Sequence, residues 1–527
     1  MSEKTRRQFL TTSATALAAV GATFAAKPKS AGTRAERACR VRMDAARHEA
    51  ERPTAAPVTN GDEELYTRFT KGLPHDARGE VDPDAYQKLI HALRSADPAD
   101  FDAIPMGGDL KLVNPQAAYC FGLEGADPQA IAASPPPSFR SAEQAAEAVE
   151  LYWKALTRDV TFAQYESDPV IARAASDLSK LTAYSGGITP ATVFRGPTPG
   201  DRVGPFVSQF LLKEVPWGSI RLVQHVRTST PGIDYLRTFD DWLAVQNGKA
   251  MPAKHAAAYR YIRSGRDLAA YAYLDFPHQA YETACLILFG MQGTTDAQRP
   301  YKGAPYDAAN PYRGSRTQSG FVTFGAAQAL DLVARVTIPA LRACWAQKWL
   351  VHRRLRPEEF AGRVHLKMTG GAEYPIHESV LGSAALAAIH DASGTFLLPQ
   401  GYPEGAPLHP SYPGGHAAVA GACATVLKAF FDDSFPIYDP VDVTADGLTL
   451  VPYRGPDLTV GGELNKLAWN ISCGRDMSGI HWRSDAVAGL GLGEAVALSI
   501  LGDMKECFNE RFRGFSLTTF DGRAITV

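Results

Sequence analysis

Two histidines seven residues apart, His409 and His416, flank a turn rich in proline and glycine in the stretch HPSYPGGHA. The small residues that follow, AAVAGACATVLKAF, read as a tightly packed helix, so the turn delivers His416 to a helix N-terminus. Exposed N–H groups and the helix dipole favour an anion there. Such turns are common, and a lone histidine in one is more often structural than catalytic. Two further stretches change the balance. KWLVHRRLRP, Lys348 to Pro357, closes a long helical pattern, and Pro357 makes Arg356 the last or first non-helical residue, its guanidinium able to turn toward a ligand. SCGRDMSGIHWRSD sets Arg475 and His481 six apart across a bend at Gly479, with Asp485 four residues after His481 and on its face if a helix begins there. A carboxylate so placed orients an imidazole and selects its tautomer.

Each stretch has an ordinary alternative. Cations at a helix C-terminus complement the dipole and are usually solvated, and His481 with Asp485 would also serve as an ion pair at a helix start. Taken together, Lys348, Arg356 and Arg475 supply fixed cations, and His416 and His481 supply imidazoles. That set suits a multiply charged tetrahedral oxyanion, with histidine available to move protons.

The elements that must carry these residues are mostly helical. DAYQKLIHALRSA (84–96) and SAEQAAEAVELYWKAL (141–156) have helical spacing, the second with a capping-box signature at Ser141 and Gln144. SPPPSF (134–139) is an extended connector. Residues 189–248 are loop-rich with short β-prone runs. Long helical patterns then resume at 257–276, from FGAAQ through HRRL (324–355), at 379–390, after His416, and at 485–508. The expected fold is therefore all-α, a set of helical bundles with minor short strands in 189–248, whose Ala and Gly rows let helices approach closely. Asp275 in YLDFPHQAY is a candidate buried carboxylate partner for an arginine. Trp345 and Trp349 are candidates to line the site, although an aromatic on a helix is core by default. His352, His365, His377 and His390 are assigned to structure or surface.

The chain has 527 residues, 45% hydrophobic, with a formal net charge of −2, which gives no reason to expect nucleic acid or an anionic membrane as partner. Its opening, MSEKTRRQFLTTSATALAAVGATFAA, pairs Arg6 and Arg7 ahead of an uncharged stretch ending in small residues. This has the form of a twin-arginine export signal over 1–26, so the mature protein is expected to be periplasmic or secreted, with no membrane attachment after cleavage. Residues 27–60 lack apolar periodicity and are expected to form an N-terminal arm. The helical domain then spans 61–527, with the site in 340–490. Seven cysteines without a CxxC pair argue against zinc, and most are expected in the core.

The pattern K-x7-RP, P-x-G-H and GR-x5-H resembles the signature shared by vanadium-dependent haloperoxidases and type 2 phosphatidic acid phosphatases. The lysine-to-arginine spacing, His409, and FTKGLPHD, NPQAAY, LYWKALTRDVTF, FRG and GPFVSQFL resemble the algal bromoperoxidase branch along nearly the whole mature chain. The resemblance implies one vanadate per chain, with His481 bonding vanadium. Lys348, Arg356, Arg475 and the Gly415 amide would hold its oxygens, and His416 would be the acid/base. His409 would sit beside the site, and Lys348 would polarise bound peroxide. From the residues themselves rather than the resemblance, Asp485, Asp275 and Trp345 are candidates to support the site from behind. The resemblance also implies hydrogen peroxide and bromide or iodide as substrates, a small nucleophilic organic molecule as the halogenated product's precursor, and a homodimer or larger assembly. Calcium is conceivable, but no motif supports it. One position departs from the family pattern: Gly414 stands where the family has a serine whose hydroxyl would donate to the oxyanion. The alternative reading of the same pocket is an acid phosphatase with His481 as phosphoryl acceptor, Asp485 orienting it and His416 protonating the leaving group. A non-catalytic binding protein is a third.

Overall fold

The computed structural model describes residues 32–54, 60–181, 187–253, 255–293 and 301–527, so the export signal expected over 1–26 lies outside the described residues. The longer helices, in chain order, are α1 (Arg34–Ala50), α2 (Pro83–Ser95), α3 (Ala142–Thr157), α4 (Pro169–Leu178), α5 (Phe239–Gln246), α6 (Gly265–Leu274) and α7 (Gln279–Gly290). They continue with α8 (Ala326–Arg335), α9 (Thr337–Ala346), α10 (Pro357–Met368), α11 (Ala384–Ser393), α12 (Gly415–Phe430), α13 (Val460–Met477) and α14 (Arg483–Lys505). The fold is all-α, as the periodicity predicts. Strands occur only as short antiparallel pairs among the described residues. Val215–Trp217 with Ile220–Leu222 falls in the loop-rich region as expected, whereas pairs at 441–452 and 516–526 lie outside it.

Several local readings needed correction. The arm at 27–60 contains α1, which buries no residue and is set by Thr33 and Glu36 exchanging hydrogen bonds in a capping box. The run 257–276 is not one helix: His255–Arg260 is a strand, and α6 starts only after Ser264, whose hydroxyl accepts from the Asp267 amide. Ser141 caps α3 by accepting from Gln144 N (3.1 Å), but the Gln144 side chain does not reciprocate; its Oε1 accepts from Arg354 Nη2 (2.6 Å). The long helix expected over 324–355 breaks at Val336 into α8 and α9, and α9 then widens into a π-helical turn, Gln347–His352. Arg353, at φ +45°, ends it. Such wide turns rotate the following side chains off the helical register, and Lys348 lies on this one.

Helices α12 and α14 form the centre. Their close approach is written in glycine: a methyl group at Gly421 would run into the backbone of Leu490, and one at Gly493 into that of Ala418. α12 is buried apart from His416, and α13 packs beside it. α14 is long and apolar enough to cross a membrane by composition, but most of its apolar window is packed in the protein interior and it carries the buried Asp485 and Glu494. One large core joins these helices to α3 and α6 to α11, and a smaller one around Phe69, Leu89 and Trp349 closes the other side of the π turn. Cys285, Cys344, Cys423 and Cys473 are core residues, while Cys39, Cys120 and Cys507 are exposed thiols.

Candidate oxyanion site

Four chain ends meet at one point: the π turn after α9, the start of α10, the start of α12, and the junction between α13 and α14. Lys348 is fully buried, and its Nζ donates to the carbonyls of Pro410 (2.7 Å) and Ser411 (2.6 Å). Arg356 caps α10 as the residue before Pro357, as expected, and is also fully buried. Its Nε donates to His409 O (2.9 Å), its Nη1 to Ile480 O and His481 Nε2 (2.9 Å each), and its Nη2 to His409 Nδ1 (3.0 Å). Arg475, in the last turn of α13, donates from Nη1 to Ala272 O (2.9 Å) and lies over the ring of Tyr402 (5.1 Å); its Nε is buried without an acceptor.

Among the described residues, none of these three cations is within ion-pair distance of a carboxylate, although all are buried. An isolated buried charge is expensive. Burial lowers Lys348 to about 7 and Arg356 to about 10, each with the neighbouring guanidinium adding to the effect. The pocket is therefore a concentration of uncompensated positive charge with an open guanidinium donor, which is what a multiply charged oxyanion requires.

His481 accounts for the site's tautomer logic. Asp485, four residues on in the first turn of α14, accepts from its Nδ1 (2.8 Å). Burial alone would raise the Asp485 carboxyl, but Arg354, His481 and the Ser411 hydroxyl hold it well below the usual carboxylate range. Burial and the Arg356 guanidinium push His481 well below its ordinary value, so it is neutral, protonated on Nδ1, with its Nε2 lone pair facing the cations. Burial and Arg356 push His409 down in the same way, and its ring lies against Trp345 (4.9 Å).

His416, the second residue of α12, keeps about 30% of its side chain exposed, and its Nε2 lies 3.0 Å from Asp275 Oδ1. Asp275, buried at the end of α6, thus partners a histidine rather than the arginine expected from sequence. Gly415 opens α12, so its amide has no intrahelical acceptor, and Gly414 is the helix N-cap at φ −70°. Trp345 borders the site and donates to Val113 O (3.1 Å). Trp349 belongs to the second core, edge-on to Phe69. His352 is buried and His365 packs on Phe239, both structural.

Sequence reasoning missed Arg354 and Ser411. Arg354 donates to Asp485 Oδ1 (2.9 Å), Ser484, Gln144 and Glu147, and the Ser411 hydroxyl donates to Asp485 Oδ2. Both lie inside the stretches already singled out, so a signal was present. Tyr402, beneath Arg475, had none. Among the described residues no group of three or more His, Cys, Asp and Glu side chains gathers into a cage for a metal cation; the convergent donors are N–H groups.

Buried N–H donors at helix ends, beside an imidazole aimed by a carboxylate, define a helical enzyme built around an oxyanion. Residues 332–510 match the family described as the second helical-bundle domain of VCPO. The chain is 36% identical to a vanadium-dependent bromoperoxidase of Ascophyllum nodosum, covering 95% of this chain and 93% of that one. It is 34% identical to one of Corallina officinalis, covering 89% and 92%. The solved homohexameric second vanadate-dependent bromoperoxidase of Ascophyllum nodosum superposes with a TM-score of 0.86 at 29% identity, over 96% of this chain and 93% of that one. The chain belongs to the vanadium-dependent haloperoxidase family, in the likeness of its algal bromoperoxidases.

Proposed function

We propose that this protein is a vanadate-dependent bromoperoxidase, oxidising bromide or iodide with hydrogen peroxide to a hypohalous equivalent that halogenates a small electron-rich organic molecule. The observation that carries the reading is the trio of buried cations, Lys348, Arg356 and Arg475, with no carboxylate counter-ion among the described residues. Likeness to bromoperoxidases over nearly the whole chain favours this over the acid phosphatase, which would use the same pocket.

Vanadate, when bound, supplies a Lewis-acid centre that makes hydrogen peroxide an oxidant for halide. His481 would hold it through Nε2, the nitrogen left unprotonated by the bond from Nδ1 to Asp485. Arg356 would turn its Nη1 from that nitrogen to an oxygen of the anion, and the open Nε of Arg475 would take another. Lys348, the Gly415 amide and the α12 N-terminus would complete the charge balance. His416 reaches both solvent and Asp275, so it can take a proton from incoming peroxide at one nitrogen while the carboxylate stabilises the resulting cation through the other. His409, pinned by Arg356 and Trp345, would border the halide's approach.

We further propose export by the twin-arginine route to a periplasmic or secreted location. A homo-oligomer of at least two chains is supported by the homohexameric relative. The deciding experiment measures bromination of an activated organic substrate, with peroxide and bromide, before and after vanadate is removed and restored, alongside hydrolysis of a phosphate ester. Hydrolysis without bromination would reverse the reading.

A further inference from the structure

Four buried side chains of α3, Gln144, Glu147, Glu150 and Lys154, stand three, three and four residues apart and so form one polar stripe along the helix. Buried polar groups need partners, and this stripe finds them around the oxyanion site. Gln144 Oε1 accepts from Arg354 Nη2 (2.6 Å), and Glu147 Oε2 accepts from the same nitrogen (3.1 Å). Glu150 accepts from Nε and Nη2 of Arg483 (2.8 and 2.9 Å), and Lys154 donates to Asp476 (3.2 Å). One face of α3 is therefore fitted to the segment 476–485, which carries His481 and Asp485, and to Arg354 just ahead of Arg356.

Two routes lead from Glu147 to His481. The first runs along the backbone. Trp482, the N-cap of α14, offers no side-chain acceptor, and the Ser484 amide in the first turn is satisfied from outside the helix, by Glu147 Oε1 (2.8 Å). A carboxylate 337 residues away in the chain thus sets the start of α14. The next residue is Asp485, whose Oδ2 accepts from His481 Nδ1 (2.8 Å) and whose carbonyl accepts from the Gly414 amide at the start of α12 (2.9 Å). The second route runs through side chains. Glu147 Oε2 accepts from the Ser484 hydroxyl (2.8 Å) and from Arg354, while Arg354 Nη1 donates to Asp485 Oδ1 (2.9 Å). The hydrogen bonds of Glu147 go to Arg354 and Ser484, so it reaches His481 only through Asp485.

We propose that Glu147 is a positioning residue of the oxyanion site: from α3 it fixes both the first turn of α14 and the Arg354 guanidinium, and so aims Asp485 and, through Asp485, the Nε2 lone pair of His481. Naming vanadate as the ligand rests on the function proposed above, but the aim of the His481 ring belongs to the apoprotein and is measured without ligand. Loss of an outer support of this kind weakens metal affinity about 10- to 100-fold.

Glu147→Ala removes both routes. Glu147→Gln keeps an acceptor for the Ser484 amide but loses the one for Arg354, and it serves if the alanine variant does not fold. Glu494→Gln is the control: Glu494 is also a buried acid, lies on α14 beyond the site and accepts a backbone amide, that of Phe520 (2.9 Å). In apoprotein carrying isotope-labelled histidine, the Nδ1–H proton that His481 donates to Asp485 gives a downfield magnetic resonance, identified by its loss in His481→Ala. It should shift or broaden in Glu147→Ala, less in Glu147→Gln, and stay in place in Glu494→Gln. Dialysis against orthovanadate should show affinity about 10- to 100-fold weaker in Glu147→Ala, a smaller loss in Glu147→Gln, and wild-type affinity in Glu494→Gln, although melting temperatures fall in all three. An unchanged His481 resonance or wild-type vanadate affinity in the folded Glu147 variant, or losses as large in Glu494→Gln, overturn the proposal. A wild type that retains no vanadate overturns the bromoperoxidase reading instead, and the resonance alone then decides whether Glu147 aims His481.

Discussion

Gly414→Ser restores the hydroxyl that the family pattern places two residues before His416, and the structure sets both its gain and its cost. Gly414 has φ −70° and ψ 126°, so serine is accommodated without backbone strain. Space is tighter: a Cβ there would lie 3.1 Å from Asp485 O and 3.3 Å from Ala417 Cβ, while the Gly414 amide donates to the same Asp485 carbonyl at 2.9 Å. The turn must move by a few tenths of an ångström from α14. Mild overpacking of this kind costs about 1–3 kcal/mol, and a serine N-cap regains only about a few tenths. The folded protein should therefore be slightly destabilised. Affinity is a separate matter, because the strain is present with and without ligand and largely cancels. A new hydrogen bond to a charged oxyanion contributes about 1.5–3 kcal/mol, which corresponds to vanadate binding about 10- to 100-fold tighter. Gly414→Ala carries the same Cβ without the hydroxyl. Equilibrium dialysis with vanadium counted by mass spectrometry, and calorimetric melting of each apoprotein, separate the effects. Serine and alanine should lose similar stability, and only serine should gain affinity. Equal vanadate affinity in the two variants would refute the reasoning and mean that another group already fills the hydroxyl's place.

His481→Ala should abolish vanadate retention, measured by the same dialysis; retention at the wild-type level would show that the metal is held elsewhere. Asp275→Asn should lower bromination turnover by about 10- to 100-fold while leaving vanadate affinity nearly intact, and a loss of affinity without loss of turnover would remove His416 from proton transfer. His409→Phe should shift halide preference or the pH profile of bromination, and unchanged profiles would make His409 a neighbour only. For Lys348, burial takes the folded pKa from 10.5 down to about 7. Between these pH values the unfolded chain holds more protons, so stability should rise with pH, by up to about 1.4 kcal/mol per unit from this group alone. The stability of wild type relative to Lys348→Met in the apoprotein should rise across that window and flatten when vanadate is bound; a flat difference without vanadate would show that burial does not depress Lys348 and that it keeps its proton in the folded apoprotein.

The site was legible where function is written in local spacing. Arg356 before Pro357, His416 after a Pro-Gly-Gly turn, and Asp485 one turn beyond His481 are each set by the rules of helix ends, and the structure brings them together. What the sequence could not convey was pairing across the chain. Asp275 and His416 are 141 residues apart, and Gln144 and Arg354 are 210 apart. Ordinary charge matching pointed Asp275 toward an arginine, and the reason it fails is physical. A carboxylate beside Lys348, Arg356 or Arg475 would cancel the positive charge that the proposed oxyanion ligand would meet. The cations of the pocket are held by carbonyls of Pro410, Ser411, His409, Ile480 and Ala272, which fix geometry without neutralising charge. The carboxylates go elsewhere: Asp275 to His416, Asp485 to His481 and Arg354, Glu147 to Arg354. Acids serve the imidazoles and carbonyls serve the cations, which is the division of partners that the proposed oxyanion site calls for.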